Sequence, residues 1–175
     1  LDRVAGVVRV VRHALLGTML VEGIGAVLLA IRFVPQFGLL GIWFSIFHSI
    51  SAFCNGGFDI LGLYSGPYSS LAAYQGDPLV LGTIMALIVI GGLGFFVWED
   101  VIQKRFWKKL TLYSKMVLGI TACLIVFGAV YFACAEWENP DTLGSMPLWQ
   151  RPLNALFQSV TLRTAGYATF DQGKL

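Results

Sequence analysis

Charge is what this sequence has least of. Its 175 residues include 12 Lys+Arg and 10 Asp+Glu, 13% of the chain, against 57% apolar residues. Soluble globular domains carry about 25% charged residues. So few charges would leave large apolar patches facing water, which excludes a soluble domain and points to an integral membrane protein. Cysteine is also scarce. Cys54, Cys123 and Cys134 show no paired spacing, which argues against a disulfide framework or a thiolate metal site. Cys123 and Cys134 lie inside an apolar segment and read as small buried hydrophobes. The only histidines are His13 and His48. One falls on the cytoplasmic side and the other stands alone, so no Ser-His-Asp or metal constellation can be assembled and nothing suggests an enzyme. The period-2 alternation of a barrel strand is missing. So is a signal peptide: the chain opens on Leu1 without a short apolar stretch and cleavage site. Both ends, Leu1 and Lys174-Leu175, read as cuts within a longer polypeptide.

What the sequence does contain is apolar segments of two lengths. Three are long enough to cross a bilayer, which takes about 20 apolar residues: Ala14 to Phe33 (with one acid, Glu22), Leu79 to Trp98, and Met116 to Ala135. They are expected to be helices, since only helices and closed barrels satisfy their backbone in lipid. Two shorter segments, Leu39 to Phe53 and Pro147 to Val160, cannot cross. Each runs into a glycine-containing polar stretch, as does a half-helix that enters the membrane, stops near the middle and returns as a loop. If both re-enter, eight of the twelve Lys+Arg (Arg3, Arg9, Arg12, Lys104, Arg105, Lys108, Lys109, Lys115) fall on one side. Asp59, Asp77, Glu136, Glu138, Asp141 and Asp171 fall on the other. The positive-inside rule makes the basic side, and the N-terminus, cytoplasmic. Trp43, Trp98, Trp137 and Trp149 are expected near the interfaces, as an aromatic belt.

The chain also repeats itself. Phe47-His48-Ser49-Ile50-Ser51 resembles Phe157-Gln158-Ser159-Val160-Thr161, and Gly56-Gly57-Phe58 resembles Ala165-Gly166-Tyr167. Internal repeats are a common way to build a transport path at the midplane. Selecting K⁺ requires carbonyl oxygens that replace its water shell, as in the channel filter Thr-Val-Gly-Tyr-Gly. Aligning consecutive carbonyls demands backbone angles that glycine adopts without steric cost. Asn55-Gly56-Gly57-Phe58 and Thr164-Ala165-Gly166-Tyr167 follow that shape. The half-helix before each loop would aim its partly negative C-terminus at the ion.

These residues carry a family resemblance. Phe47 through Asp59 resembles the second pore loop, and Gln158 through Tyr167 the third, of the Ktr membrane subunit in the Trk/Ktr/HKT superfamily of potassium transporters. Gly76-Asp77-Pro78-Leu79 through Ile90-Gly91-Gly92-Leu93-Gly94-Phe95 is similar to the helix after the second loop. The resemblance covers nearly the whole chain. It departs at Cys54 and Gly56, where a polar residue and Ala are expected, and at Leu162, where Pro is common. It implies an all-α polytopic membrane protein of repeated helix–half-helix–filter-loop–helix units, four around one pore. Residues 1–112 would form a second-type unit and residues 113–175 the truncated start of the next. The implied function is K⁺ uptake across the plasma membrane, with Na⁺ as a possible coupling ion. Gly57 and Gly166 would be filter glycines, and Asn55, Gly56, Phe58, Thr164, Ala165 and Tyr167 would line the ion path. The implied partners are membrane lipid, a second copy of the full-length subunit and a cytoplasmic nucleotide-binding regulatory ring, with no nucleic acid. A relative that carries both Na⁺ and K⁺, and a structural subunit without transport, remain as alternatives.

Several residues carry two readings. Asp59 and Asp171 either draw cations to the mouth or are solvated loop acids. Arg163 either braces the filter loop through carbonyls or an acid, or lies on the loop surface. Glu22, an acid inside a span, is either functional or a bond to a neighbouring helix. His48 reads as a packed or hydrogen-bonded residue rather than a ligand or proton relay. Gly91-Gly92-Leu93-Gly94 reads as a close-packing surface between helices ahead of a gating hinge. The run Lys104 to Lys109, with Phe106 and Trp107, either binds lipid headgroups, docks the regulatory ring or only sets topology.

Overall fold

The computed structural model describes residues 2–66, 70–171 and 173. Among them there are no strands. The α-helices are α1 (Asp2–Phe37), α2 (Leu39–Phe53), α3 (Gly62–Ser65), α4 (Pro78–Leu93), α5 (Phe95–Lys104), α6 (Leu112–Ala135) and α7 (Gln150–Thr161). This is an all-α protein with apolar helices of membrane-spanning length: α1 from Val10 to Phe37, and α6 throughout.

The half-helices stop where the sequence places them. At 15 residues, α2 is about 22 Å long, and α7 at 12 residues about 18 Å, both short of the roughly 30 Å hydrocarbon core. α7 starts at Gln150, three residues later than expected, because Pro147 to Trp149 are taken up in a turn closed by the Gln150 amide on the Pro147 carbonyl.

Helix α1 turns into α2 through Gly38, whose φ is 60°. At Gly41 a Cβ would come within 2.3 Å of the Phe33 carbonyl oxygen, so the two helices pack as a tight antiparallel hairpin. Ser49 near the end of α2 donates to the Glu22 carbonyl at 2.7 Å. Glu22 sits near the middle of the apolar part of α1, so α2 ends halfway down its partner. The second hairpin repeats this. Ser159 of α7 donates to the Ile125 carbonyl at 2.7 Å, halfway along α6. A glycine three residues beyond each acceptor lets the serine approach: a Cβ on Gly25 would lie 2.6 Å from Ser49 Oγ, and one on Gly128 2.4 Å from Ser159 Oγ.

Helix α4 runs antiparallel to α1. Asp77 caps it, accepting from the amides of Leu79 (3.0 Å) and Val80 (3.3 Å), and also pairs with Arg32 Nε at 2.8 Å. Lower down, Gly25 abuts Leu87, and near the other end Gly17 faces the Trp98 ring. The N-terminal end of α1 and the basic connector after α5 therefore lie at the same end of the molecule. The core fills the space between α1, α2, α4 and α7 with Leu29, Phe33, Phe44, Leu81, Ile84 and Phe157.

Two expectations are corrected. The span Leu79 to Trp98 is not one helix. It breaks at Gly94 (φ 82°), and α5 leaves α4 at 97°. Trp98 folds back across the break. Its indole N–H donates to the Ile90 carbonyl at 2.7 Å and its ring packs against Phe53, so it is half-buried. Cys123 and Cys134 are exposed on α6, as is Cys54 after α2, and all three are free thiols. The apolar pattern of α6 is nearly all round, so it could not show which face packs inward. The glycine run serves both readings. Gly91 allows close packing, since a Cβ there would lie 1.9 Å from the Phe53 carbonyl oxygen, and Gly94 makes the bend.

Gly91→Val in the full-length protein should cost about 1–3 kcal/mol by overpacking, whereas Gly82→Ala, whose Cβ meets nothing within 4 Å, should be neutral or stabilising. Thermal unfolding in detergent compares the two. By the same measurement Asp77→Ala, which removes cap and ion pair together, should cost about 1–3 kcal/mol, and Asp77→Asn, which keeps a capping oxygen, no more than about 1 kcal/mol.

Candidate filter loops

Each half-helix ends in a reversal held by a hydroxyl of that helix. Ser51 Oγ donates to the Phe58 carbonyl at 2.8 Å. Thr161 Oγ1 donates to the Tyr167 carbonyl at 2.9 Å. Ser51 and Thr161 correspond in the repeat, as do Phe58 and Tyr167, so the same clasp closes both loops. The first loop has one residue more between clasp donor and acceptor, so Phe47 and Phe157 are 110 residues apart in the sequence but Gly57 and Gly166 only 109. That extra length is absorbed by Asn55, which adopts φ 55°, a left-handed conformation that Asn tolerates better than most residues.

The two loops meet. Thr164 Oγ1 donates to Asn55 Oδ1 at 2.8 Å, and the Tyr167 hydroxyl donates to the Phe58 carbonyl at 3.1 Å. Gly57 lies against the Ala165 carbonyl, where a Cβ would come within 1.7 Å of the oxygen. Gly57 (φ 66°) and Gly166 (φ 86°) are both left-handed. Glycine is thus required at 57 by backbone and by space, but at 166, where a Cβ would meet nothing within 4 Å, by backbone alone.

The carbonyls divide into two groups. Those of Phe58 and Tyr167 accept from protein hydroxyls. Those of residues 55–57 and 164–166 accept no hydrogen bond among the described residues, although the amides of Asn55, Gly56, Thr164, Ala165 and Gly166 are all bonded. An unpaired carbonyl at membrane depth is costly unless it lines a cavity or meets a ligand. A hard monovalent cation is such a ligand.

The flanking residues take roles that sequence left open. Asp59 Oδ1 accepts from the amides of Leu61 (3.1 Å) and Gly62 (3.3 Å), capping α3. Asp171 is exposed and accepts from Gly173 N at 3.0 Å. Among the described residues Arg163 reaches neither a carbonyl nor an acid: its Nη2 donates to Thr121 Oγ1 of α6 at 3.4 Å, tying the loop to its spanning helix. Glu22 contributes its backbone oxygen to Ser49, while its carboxylate lies 4.0 Å from Cys54 Sγ. His48 is fully buried, with Nδ1 donating to the Phe44 carbonyl at 2.7 Å and its ring against Phe33 and Tyr167. The aromatic residues after the glycines differ sharply, Tyr167 being 0% and Phe58 71% exposed, because Tyr167 packs on the neighbouring repeat and Phe58 has none beside it here.

The clasp and hairpin hydroxyls went unassigned in the sequence reading. Their signal was the hydroxyl pair two residues apart that recurs at Ser49/Ser51 and Ser159/Thr161. Arg151 was also missed. It holds the loop before α7 by donating to the carbonyls of Met146, Trp137 and Gly144.

The chain matches the family described as Cation transport protein, TrkH, over residues 4–175. It is 42% identical over 172 residues to the Potassium/sodium uptake protein NtpJ of Enterococcus hirae, covering 98% of this chain and 37% of that protein. It is 36% identical over 173 residues to the Ktr system potassium uptake protein B of Bacillus subtilis, covering 98% and 38%. To the protein of that name from Vibrio alginolyticus it is 38% identical over 175 residues, covering 97% and 37%. The chain thus spans well under half the length of these relatives. Because the match runs through both loops and every spanning helix rather than through one motif, the chain belongs to the TrkH family of cation transport proteins.

Proposed function

We propose that this chain supplies two neighbouring quarters of a potassium filter in a full-length uptake protein of the plasma membrane, with the N-terminal end of α1 cytoplasmic. Residues 1–112 and 113–175 are read as consecutive pore units, the second truncated. The observation that supports the reading is the set of carbonyls at 55–57 and 164–166 that accept no hydrogen bond among the described residues, on two loops that touch at the ends of half-helices. K⁺ entering there would exchange water for the oxygens of Asn55, Gly56, Gly57, Thr164, Ala165 and Gly166. Phe58 and Tyr167, whose carbonyls are clasped, would hold the loops in shape. Two such units cannot enclose a pore, so conduction needs the two further units that the resemblance implies. The family resemblance adds a homodimer and a cytoplasmic nucleotide-binding ring that gates the pore. The work is transport along an electrochemical gradient, with no catalytic step.

A second reading is favoured by one observation: the relative in Enterococcus hirae is named a potassium/sodium uptake protein. Na⁺ would then enter with K⁺ or be coupled to it.

Ion flux through the full-length protein, expressed in cells deficient in potassium uptake, tests both readings. Gly57→Ser should lower K⁺ over Na⁺ discrimination roughly tenfold or more, since its side chain would displace the Ala165 carbonyl and about 1.4 kcal/mol of differential binding suffices for that factor. Unchanged discrimination would remove the filter assignment, and K⁺ uptake that is indifferent to Na⁺ would remove the second reading.

The bond between the loops offers an independent check. Asn55→Ala and Thr164→Val should each reduce K⁺ affinity, and the double variant should lose less than the two effects combined, with a coupling of about 0.5–3 kcal/mol. Simple additivity would mean that the loops act separately.

A further inference from the structure

The 97° break at Gly94 gives α5 a different setting from α4. If α4 follows the bilayer normal, α5 runs nearly parallel to the surface, and the chain re-enters the apolar region only at α6. The turn is fixed. Trp98 is bonded back to Ile90 across the break, and Arg105 ends α5 in a left-handed conformation (φ 54°) with its amide on the Val101 carbonyl. Asp100 joins the two ends of the connector, pairing with Lys104 Nζ at 2.7 Å and accepting from the amide and hydroxyl of Thr111 at 2.8 and 2.9 Å. The segment is therefore a built surface.

That surface carries apolar and basic groups together. Phe96, Ile102, Phe106 and Trp107 are more than half exposed. Among them Arg105, Lys108 and Lys109 are exposed, with Lys109 Nζ over the Phe106 ring at 5.6 Å. Asp100 is neutralised by Lys104, and Glu99 is the other acid of α5, so Arg105, Lys108 and Lys109 against Glu99 leave the patch net positive. Aromatic rings beside bases, held at the level where one spanning helix ends and the next begins, match the two layers of a bilayer surface: acyl chains below and phosphates above.

We propose that α5 and the connector to α6 lie in the plane of the membrane and bind the phosphate headgroups of anionic lipid, with Arg105, Lys108 and Lys109 as the contacts and Phe106 and Trp107 as the inserted anchors. The bend favours lipid over a soluble partner, because it holds the bases and the exposed rings level with the end of α4 and the start of α6, the helices that bound the apolar layer. The inference rests on the membrane reading of α4 and α6 and is independent of the filter.

The test uses the full-length protein in nanodiscs, reading Trp107 fluorescence as the difference between the protein and its Trp107→Phe variant. Brominated phosphatidylglycerol should quench this signal about threefold or more over brominated phosphatidylcholine at low salt. The preference should fall toward one at high salt and in the Lys108→Gln/Lys109→Gln double variant. The salt arm needs no variant and keeps the test decisive if the double variant fails to fold. Equal quenching by the two lipids would overturn the headgroup claim, and absence of quenching would overturn the in-plane placement. If addition of a cytoplasmic regulatory protein abolished the preference, and the double variant no longer bound that protein, the surface would belong to it instead.

Discussion

Everything in this chain depends on how a backbone that reverses between apolar helices satisfies its polar groups. A continuous helix does so internally, and a loop in an apolar layer cannot. The two reversals after α2 and α7 solve half of the problem with protein. Their amides bond back to the helix ends, and the carbonyls after the glycines accept from Ser51, Thr161 and Tyr167. The other half, the carbonyls of residues 55–57 and 164–166, accepts no hydrogen bond among the described residues. The hairpins exist to hold that open set in place. Gly25, Gly41 and Gly128 bring each half-helix against its spanning partner, and Ser49 and Ser159 fix how far down it ends.

The repeat is conserved in its joints more closely than in its length. The first loop is one residue longer between clasp donor and acceptor, yet both close through a hydroxyl two residues after the hairpin serine. Asn55 absorbs the difference and then bonds Thr164. One side chain thus both accommodates the irregularity and couples the neighbouring repeats. His48 and Gln158, at matching positions, are both fully buried behind the loops, so the backing of each loop is polar as well as tight.

At the opposite end from the Arg32–Asp77 pair, chain direction is set by a glycine and a tryptophan. Gly94 permits the turn, and Trp98 reaches back over it to Ile90 and Phe53. Since Phe53 ends the first half-helix and its carbonyl lies against Gly91, the bend and the first loop share a contact. A shift of α5 would be felt at the base of that loop.

The sequence alone determined the class and the places of the two reversals after α2 and α7. Low charge and two sizes of apolar segment leave few alternatives in a bilayer, and Leu39 to Phe53 is delimited on both sides by glycine-bearing turns. The internal repeat located Gly57 and Gly166, because only glycine holds a left-handed backbone without strain. Tertiary structure decided what depends on partners distant in the chain. Apolar periodicity cannot reveal a break inside an apolar run, so the bend at Gly94 was invisible. It cannot orient α6, so Cys123 and Cys134 were expected to be buried. Nor can it show that Asp77 serves Arg32 and a helix end at once, that Arg163 reaches Thr121, or that the carbonyls of Phe58 and Tyr167 are clasped while those before them stay open. The Arg32–Asp77, Thr121–Arg163 and Phe58–Tyr167 contacts join residues about 40 to 110 apart, and the Ser51 and Thr161 clasps depend on how each short reversal folds, neither of which apolar periodicity encodes.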